Sequence, residues 1–337
     1  MPKKVVVVGS GNAALSAGIA ALEKGADVVI YEKADKKMAG GNTKYTAGAM
    51  RFSYENGDQL IDLLKHPDDK RIKDTDFGTY TNEKFSLDLL NFNDGRPLSP
   101  EQNILVSKSF ETIQWLASHN VKFEPIYSRQ SFLKNGKYIF WGGLTLASEN
   151  EGVGLFDQEL AAYLSLGGGI HYNSPVTKLI FENHKVIGLL VDNKRVEADS
   201  VILASGGFEA NDELRKLFIG DNWLKAKVRG TPNNTGDGLK MALDIGATKH
   251  GLFDGCHATP MDLHMKNYGG LDLEPGERKN YRKICYFLGI MINANGKRFL
   301  DEGKNFRNYT YAQYGRKVLE QPGHFAWQIF DSKVFDL

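Results

Sequence analysis

The chain has 337 residues, of which 42 are Lys or Arg and 41 are Asp or Glu, so its formal net charge is +1. This near balance removes any whole-chain electrostatic argument for binding nucleic acid or an anionic membrane. The length favours two domains, and no apolar run approaches the roughly 18 residues that a transmembrane helix needs.

The N-terminus and the cysteines predict the compartment and exclude some redox chemistry. The first predicted strand begins at once and leaves no room for a signal peptide, so we expect a cytoplasmic protein. Cys256 and Cys285 are too few and too far apart for a disulfide framework or a zinc site. Neither lies in a C-x-x-C motif, which disfavours a dithiol flavoenzyme, and no C-x-x-C-H motif is present for a c-type haem.

The first elements predict a βαβ unit. Residues 5–8 are four valines, typical of a strand buried in a parallel sheet. Residues 12–24 are rich in alanine and leucine, which favours a helix. A second strand over residues 27–31 ends at Glu32, where an acid can accept hydrogen bonds from a ribose.

The turn of this unit predicts dinucleotide binding. Its glycines lack Cβ atoms, so the backbone can bend tightly and a pyrophosphate can approach the helix N-terminus. The acid at residue 32 argues against a 2′-phosphate, which disfavours NADP. The alternative is a glycine turn that binds nothing. The cofactor contacts expected in this unit are Gly9, Gly11, Asn12, Ala13, Ala14, Glu32 and Lys33.

A second glycine-bearing stretch, residues 40–50, indicates a flavin. Asn42 and Thr43 would hydrogen-bond the flavin ring or its ribityl chain, and the neighbouring glycines would let the backbone approach it. The alternative is a loop whose glycines only serve a turn. The cofactor contacts expected in this loop are Gly40, Gly41, Asn42, Thr43, Thr46, Ala47 and Gly48.

The middle of the chain predicts a surface excursion, about residues 56–140, with short helices. Within it, Ser99 is expected to cap a helix that begins at Pro100, with Gln102 reaching back. The predicted buried stripe of that helix is Ile104, Leu105, Ile113 and Leu116. Beyond it we expect a helix over residues 156–164 and strands over 170–172, 176–181, 186–191, 194–198 and 201–204, the last in the first sheet.

The segment after the last of these strands contains further polar and glycine residues. Ser205-Gly206-Gly207-Phe208 is either a sharp turn beside a cofactor or a plain strand-to-helix turn. Thr235 is expected to cap a helix over residues 239–246, and Asp237 either caps that helix or contacts the cofactor. The further cofactor contacts expected are Val176, Ala204, Ser205, Gly206, Asn211, Thr235 and Asp237.

Five motifs, taken in order, resemble those of the fumarate reductase/succinate dehydrogenase flavoprotein family. They lie at residues 9–14, 40–50, 201–208, 235–242 and 292–302. Within that family, residues 40–52 and 306–312 resemble the FAD-dependent tricarballylate dehydrogenase branch.

The resemblance implies an α/β fold and a domain division. It implies a three-layer FAD-binding domain of the Rossmann-like, glutathione-reductase type over residues 1–256, and an α+β capping domain over residues 257–337. Family members continue past residue 337, so the fold is expected to be C-terminally incomplete. Residues 40–50 contain no histidine to carry a covalent flavin, so the FAD is expected to be noncovalent.

The resemblance also implies catalytic residues. Arg307 matches the arginine that shuttles a proton in fumarate reductases, and Glu302 is a candidate relay. His257 matches a position that binds a substrate carboxylate or carbonyl. The alternatives are that Arg307 only binds a carboxylate and that His257 has a structural role. His264 and Arg282 are weaker candidates, whereas Tyr309 and Tyr311 are expected to serve packing.

The region of residues 278–316 is strongly basic. It contains nine basic residues and only two acids, Asp301 and Glu302, which gives a local net charge of +7. This region is either a pocket for a polycarboxylate or a solvated basic face. The nine are Arg278, Lys279, Arg282, Lys283, Lys297, Arg298, Lys304, Arg307 and Arg316.

Together these features predict an FAD-dependent dehydrogenase that oxidises a carbon-carbon bond next to a carboxylate. The expected reaction converts a polycarboxylate such as tricarballylate to cis-aconitate, with hydride transfer to flavin N5 and onward transfer to an acceptor protein or a quinone. The alternatives are a fumarate-reductase-like enoate reductase, a truncated FAD-binding fragment without catalysis, and, more distantly, an NAD-only dehydrogenase.

Overall fold

The computed structural model describes residues 2–93, 95–268, 270, 277 and 281–336. The chain divides into two compact units, Met1–Ser205 and Gly206–Leu337. The domain boundary expected at residue 257 lies inside the second unit and remains a prediction.

The first unit contains a four-stranded parallel sheet in the order β13-β1-β2-β9. Its strands are β1 (Lys4–Val8), β2 (Asp27–Tyr31), β9 (Gly169–His171) and β13 (Ser200–Leu203). Val6 and Val7 in β1 point to opposite faces of the sheet and are both fully buried, as expected for a central strand of a parallel sheet that is covered on both faces. Helix α1 (Asn12–Glu23) joins β1 to β2 and completes the predicted βαβ unit.

Helix α6 (Glu151–Ser165) packs against α1. The contact is close because Gly18 in α1 has no side chain, and a Cβ there would lie 2.7 Å from Cε2 of Tyr163. The Tyr163 hydroxyl in turn donates to the carbonyls of Val28 and Gly169, at 3.1 and 2.9 Å. This phenol therefore ties α6 to two strands of the sheet.

An antiparallel sheet of β10 (Val176–Glu182), β11 (Lys185–Val191) and β12 (Lys194–Glu197) follows. Its two hairpins turn through residues 183–184 and 192–193, all four with positive φ. Asn and Asp tolerate that conformation better than most residues, which explains why these turns were readable from the sequence. The predicted strands are confirmed, including the return of β13 to the first sheet beside β1.

The predicted excursion has the expected short helices, but it is not only a surface feature. Its helices are α2 (Asp58–Ile61), α3 (Asn82–Phe92), α4 (Pro100–Ser118) and α5 (Tyr127–Gln130). Two small sheets accompany them, in the orders β3-β8-β5 and β4-β7-β6. These strands are β3 (Ala49–Met50), β4 (Thr75–Asp76), β5 (Phe123–Pro125), β6 (Ser131–Lys134), β7 (Lys137–Phe140) and β8 (Leu146–Ser148).

A hydrophobic core joins this segment to the residues on either side of it, and Phe52, Tyr54 and Phe123 are among its buried members. The predicted cap of α4 is confirmed, since Ser99 and Gln102 form a complete capping box. Part of its predicted buried stripe is wrong. Ile104 and Leu105 are exposed, because the helix turns residues 106, 109, 113 and 116 inward instead.

The second unit contains α7 (Asp212–Ile219), α8 (Asp237–Asp244) and α9 (Arg307–Leu319). Strands β14 (Ile290–Asn293) and β15 (Ala326–Ile329) pair antiparallel. The expected cap of α8 is wrong, because Gly236, not Thr235, occupies the N-cap position in a left-handed conformation. Within the described part of the chain, no helix is long and apolar enough to span a membrane.

Candidate functional site

The glycine turn after β1 is packed so tightly that its first glycine cannot be replaced without strain. Gly9 has φ +101°, and a Cβ there would lie 2.5 Å from the carbonyl oxygen of Ala204. The amide of Ala204 is bound to the Val8 carbonyl at 2.9 Å, which fixes that oxygen in place. The turn therefore needs glycine for its contact with β13 as well as for its dihedral angle.

Ser10 lies at the centre of this turn and was missed by the sequence analysis. Its side chain is 1% exposed, and its Oγ donates to Oε2 of Glu32 at 2.5 Å while accepting from the Gly40 amide at 3.0 Å. Oε1 of Glu32 accepts from the Ala34 amide at 2.8 Å. One hydroxyl thus joins the turn, the acid at the end of β2 and the second glycine stretch.

The second glycine stretch lies directly against the start of α1. It forms a 3-10 turn, Gly41–Tyr45, and Oγ1 of Thr43 accepts from the Asn12 amide at 2.9 Å. A Cβ on Gly11 would lie 3.2 Å from that same oxygen. Two stretches that are some thirty residues apart in sequence therefore form one polar surface at the N-terminus of α1. The hydroxyl hydrogen of Thr43 is not used by this contact.

The loop of residues 40–48 is also held in place by α6. Gly152 at the start of α6 donates to the Thr46 carbonyl at 3.2 Å, and a Cβ on Gly152 would clash with the Thr43 carbonyl. Oγ1 of Thr46 donates to that carbonyl at 3.0 Å and accepts from the Gly48 amide at 3.1 Å. The loop is therefore fixed between α1 and α6.

A second buried acid that sequence reasoning missed lies below the start of α1. Glu159 in α6 is fully buried, and its Oε1 accepts from Oγ of Ser16 at 2.8 Å. The terminal amide of Asn12 lies 2.8 and 2.9 Å from its two carboxyl oxygens. Burial raises the pKa of Glu159 to about 8, although the hydrogen bond from Ser16 acts in the opposite direction.

In the second unit, several predicted cofactor residues have structural partners. Asn211 caps α7 by accepting from the Leu214 amide at 3.0 Å, and its Nδ2 donates to the Thr235 carbonyl at 2.9 Å. Oγ1 of Thr235 donates to Asp237 at 2.8 Å. A Cβ on Gly206 would lie 2.6 Å from the Asn234 side chain.

Two further predicted cofactor contacts belong to the first unit. Val176 is a buried residue at the start of β10, and the backbone of Ser205 lies beside Gly9. The cofactor roles assigned from the sequence to all these residues remain predictions.

Two of the predicted catalytic residues are associated with one face of α9. Arg307 and Tyr311 are separated by one helical turn, and the ring of His257 packs edge-on against Tyr311 with centroids 5.4 Å apart. The segment of His257 is bound to α9 through the backbone, since Ala258 donates to Ala312 at 2.9 Å.

Protein groups around His257 favour its neutral form. The pKa of His257 is lowered, first by loss of hydration and then by the positive charge of Arg229, although the residue as a whole is exposed. A neutral imidazole can both donate and accept a hydrogen bond, which suits a residue that binds a carboxylate or a carbonyl.

The predicted relay, Glu302, is engaged in structural contacts. It is 3% exposed, and its carboxylate accepts from the Met291 amide at 2.6 Å and from Nε of Arg298 at 2.8 Å. Burial acts to raise the pKa of Glu302, but these hydrogen bonds outweigh it and the pKa is lowered. Glu302 therefore ties β14 to Arg298 as an ionised group, and its relay role remains a prediction.

The basic region is partly neutralised by carboxylates. Lys283 lies 3.1 Å from Asp262, and Arg316 lies 3.5 Å from Glu320, the residue directly after α9. Arg298 likewise pairs with Glu302. Arg278 and Lys279 lie outside the described residues.

Comparison with known proteins identifies the family. The FAD binding domain family matches residues 4–335, which is nearly the whole chain. The chain belongs to the FAD binding domain family. Its relatives place it within the fumarate reductase/succinate dehydrogenase flavoprotein superfamily, as the five motifs indicated.

The relatives match this chain along most of its length. A probable fumarate reductase, Ifc3, of Shewanella frigidimarina is 27% identical over 98% of this chain and 51% of its own length. An NADH:acrylate oxidoreductase of Vibrio harveyi is 26% identical over 88% of this chain and 33% of its own. The open conformation of a flavocytochrome c3 fumarate reductase superposes with a TM-score of 0.67 at 25% identity, covering 99% of this chain and 54% of that one. The chain thus spans about half the length of the Shewanella relative and of the solved structure, and about a third of the Vibrio relative.

The predicted fold class is confirmed, and the residues at the start of α1 fit FAD. The helix has Gly11 at its N-cap without a side-chain hydrogen bond, and its first turn carries no acid, so its partial positive charge is available to a phosphate. Glu32, fixed by Ser10 and the Ala34 amide, ends β2 where the adenosine ribose is bound in such folds. FAD is therefore the cofactor. Its noncovalent attachment and the tricarballylate dehydrogenase branch remain predictions.

Proposed function

We propose that this flavoprotein is an oxidoreductase that reduces a carbon-carbon double bond next to a carboxylate. The observation that carries the proposal is the arrangement on α9, where Arg307 and Tyr311 share a face and the His257 ring packs against Tyr311. Arg307 offers a cation for a carboxylate, and His257 offers an imidazole whose neutral form is favoured. The family supplies the cofactor that the chemistry requires.

The roles of the residues follow from their chemistry. Bound FAD supplies the two-electron couple for the reaction. Arg307, whose guanidinium is a planar cation, orients the substrate carboxylate and is the proposed proton donor to the carbon next to it. His257 donates a hydrogen bond to a carboxylate or carbonyl oxygen as charge develops there. Its neutral form is favoured by its surroundings.

The relatives support the reductive direction. The names of the two curated relatives reported above describe a fumarate reductase and an acrylate oxidoreductase, which act on unsaturated carboxylates. The proposal takes the same substrate class for this chain. An electron-donating protein or quinone, a noncovalent FAD, and the division into FAD-binding residues 1–256 and capping residues 257–337 are parts of the same proposal.

Dehydrogenation of a polycarboxylate such as tricarballylate is the second candidate, and one observation favours it. The backbone of residues 281–283 runs antiparallel to residues 260–262, with Lys283 donating to the Pro260 carbonyl at 3.0 Å. This pairing places Arg282 opposite Met261, four residues after His257. Additional cations near this segment would suit a substrate with more than one carboxylate.

The direction is tested by following the flavin absorbance without oxygen. The FAD-loaded chain is reduced with dithionite, freed of excess reductant and mixed in turn with fumarate, acrylate and cis-aconitate. Return of the oxidised flavin spectrum with any of them supports the proposal. Bleaching of the oxidised protein by tricarballylate, with no reoxidation by the enoates, would support the second candidate. If no acid changes the spectrum in either direction, the chain is an FAD-binding fragment without this catalysis.

The role of Arg307 is tested by Arg307→Lys, with Arg316→Lys on the same helix as the matched control. We expect Arg307→Lys to reduce turnover by about 100-fold or more, because a lysine loses the planar, two-pronged contact and the placement of the proton. FAD content should stay the same in both variants. Equal losses of flavin and turnover in Arg307→Lys would mean that this arginine is structural.

A further inference from the structure

Arg51 is a partly exposed arginine that the proposed reaction does not use, and it lies at the end of the loop of residues 40–50. It directly follows β3 and precedes Phe52, which is fully buried. The Phe52 amide donates to the Gly143 carbonyl at 3.2 Å, and β3 pairs with the buried strand β8. The backbone of Arg51 is therefore fixed on both sides, next to the loop for which the sequence predicts flavin contacts.

The guanidinium of Arg51 is held through one of its nitrogens. Nη1 donates to the Tyr80 hydroxyl at 2.8 Å, and the central carbon of the guanidinium lies 5.4 Å from the centre of the Tyr80 ring. Nη1 also lies against Gly143, where a Cβ would be 2.6 Å from it. A side chain at residue 143 would therefore displace the guanidinium, so the tyrosine and the glycine together fix its orientation.

The acid that pairs with Arg51 is shared with a second cation. Oδ2 of Asp88 accepts from the Tyr80 hydroxyl at 2.7 Å, and Oδ1 accepts from Nζ of Lys84 at 2.7 Å. Nη1 of Arg51 lies 3.7 Å from Oδ2, which is beyond hydrogen-bond distance. Two cations thus share one carboxylate, and Asp88 cancels only part of the positive charge of this group.

The other edge of the guanidinium is open to a ligand. In the part of the chain that the structure describes, every hydrogen bond and ion pair of Arg51 involves Nη1, so Nε and Nη2 keep their N–H groups. The side chain is 26% exposed. Nε and Nη2 present two parallel N–H bonds, and this geometry matches the two oxygens of a carboxylate.

These contacts orient Arg51 without occupying its carboxylate-binding edge. An arginine that served only to pair with Asp88 would bind that carboxylate directly through two N–H groups. Here Tyr80 and Lys84 occupy the two oxygens instead, and Arg51 is held by the tyrosine hydroxyl. The arrangement therefore fits a residue that is kept in place for an anion from outside the protein.

The position of Arg51 in the chain fits an anion on the substrate. Three residues separate Arg51 from Gly48 in the predicted flavin loop, and such a segment spans at most about 11 Å. A substrate that is reduced by the flavin must lie against the flavin ring. A cation at the end of the flavin loop is therefore well placed for a carboxylate of that substrate.

We propose that Arg51 binds a carboxylate of the substrate through Nε and Nη2, and that the substrate therefore carries at least two carboxylates. This inference rests on the proposed function, which assigns one substrate carboxylate to Arg307. It narrows the substrate class from unsaturated acids in general to those with two or three carboxylates. Arg51 is then a residue that determines specificity.

The experiment measures the binding of fumarate and of monomethyl fumarate to the oxidised, FAD-loaded chain by isothermal titration calorimetry. Oxidised flavin has no electrons to reduce either ligand, so both affinities are measured without turnover. The two ligands share the double bond and differ by one carboxylate. We expect the wild type to bind fumarate about 10- to 100-fold more tightly than the monoester, as one charge-assisted contact through two N–H groups provides.

Three variants test the residue itself. Arg51→Gln should remove most of the preference by weakening fumarate binding, with little change for the monoester. Arg51→Lys keeps the positive charge but loses the two-pronged contact, so its preference should lie between those of the wild type and Arg51→Gln. Arg195→Gln, at another arginine of the first unit whose side chain is 46% exposed, is the matched control and should keep the wild-type preference.

A wild type that binds both ligands equally would overturn the inference, as would an Arg51→Gln variant that keeps the wild-type preference. Equal weakening of both ligands in the two Arg51 variants would make this arginine structural and overturn it too. Absence of binding by either ligand would overturn it together with the substrate class of the proposed function. Reoxidation of the reduced flavin by enoates, without a preference for fumarate in binding, would defeat only the inference. A normal preference for fumarate without any such reoxidation would defeat only the proposed reaction.

Discussion

Replacement of Glu159 by glutamine should stabilise the first unit, and increasingly so as the pH rises. The free energy follows from linkage. Burial raises the pKa of this carboxyl from its usual 4.5 to about 8, so the folded chain keeps a proton that the unfolded chain has lost. The stabilising contribution is complete below pH 4.5 and is lost as the pH rises through the folded pKa. The slope is about 1.4 kcal/mol per pH unit, which gives about 3 kcal/mol by pH 7 and about 5 kcal/mol above pH 8.

The effect is local and is best measured locally, because the chain has two compact units. Hydrogen exchange of peptides from α1 and α6 reports the opening free energy of the segments that hold Glu159. Wild type and Glu159→Gln are compared at the same pH, without added FAD, which cancels the pH dependence of exchange chemistry. We expect the advantage of the variant to grow steadily between pH 5 and pH 8, and Glu197→Gln to show no such growth. An advantage that is the same at pH 5 and pH 8 would refute the reasoning, since it would mean that the buried carboxyl does not titrate in this range.

Three further predictions concern residues with defined contacts. Gly9→Ala should lower the free energy of unfolding by more than about 3 kcal/mol, because backbone strain and a clash with the backbone add. Gly25→Ala, at a position where a Cβ meets no other atom, should cost only about 1 kcal/mol. The urea midpoints of both variants test this difference. Ser10→Ala should lower the free energy of unfolding by about 1–3 kcal/mol and weaken FAD binding, because it leaves a buried carboxylate and a buried amide without one partner each. A variant with the wild-type urea midpoint and the wild-type FAD affinity would contradict this. Gly315→Ala would place a Cβ 2.5 Å from the backbone next to His257, so we expect turnover to fall about 100-fold with FAD content unchanged; normal turnover would show that this segment is not part of the active site.

The βαβ unit at the start of the chain could be predicted because the residues that indicate it lie close together in the sequence. The valine run, the glycine turn and the acid at residue 32 lie close together in sequence, so the strand, helix and strand of the βαβ unit could be predicted from neighbouring residues. The hairpins of β10–β12 were equally local, since Asn and Asp mark their two-residue turns. The helix cap at Ser99 depends on residues only three positions apart.

The features that were missed depend on contacts between distant parts of the chain. Glu159 is separated from Ser16 by 143 residues, so nothing near it in the sequence indicates that it is buried against a helix end. The stripe of α4 was misjudged because apolar residues occur on two sides of that helix, and only the core around Phe52 and Phe123 decides which side is buried. The excursion was expected to lie at the surface because its many acids conceal the spacing of its aromatic residues.

The start of α1 shows why those distant contacts bear on function. Ser10 in the turn after β1 bonds Glu32, which directly follows β2, while Thr43 in the loop and Glu159 in α6 both contact Asn12, the first residue of α1. Buried polar groups cost free energy unless each has a partner, and a set that is fully paired fixes its geometry. A helix end alone would attract any small anion. If the cofactor contacts predicted for these residues hold, the selectivity of this site for FAD should depend on the long-range contacts more than on the glycine motif itself.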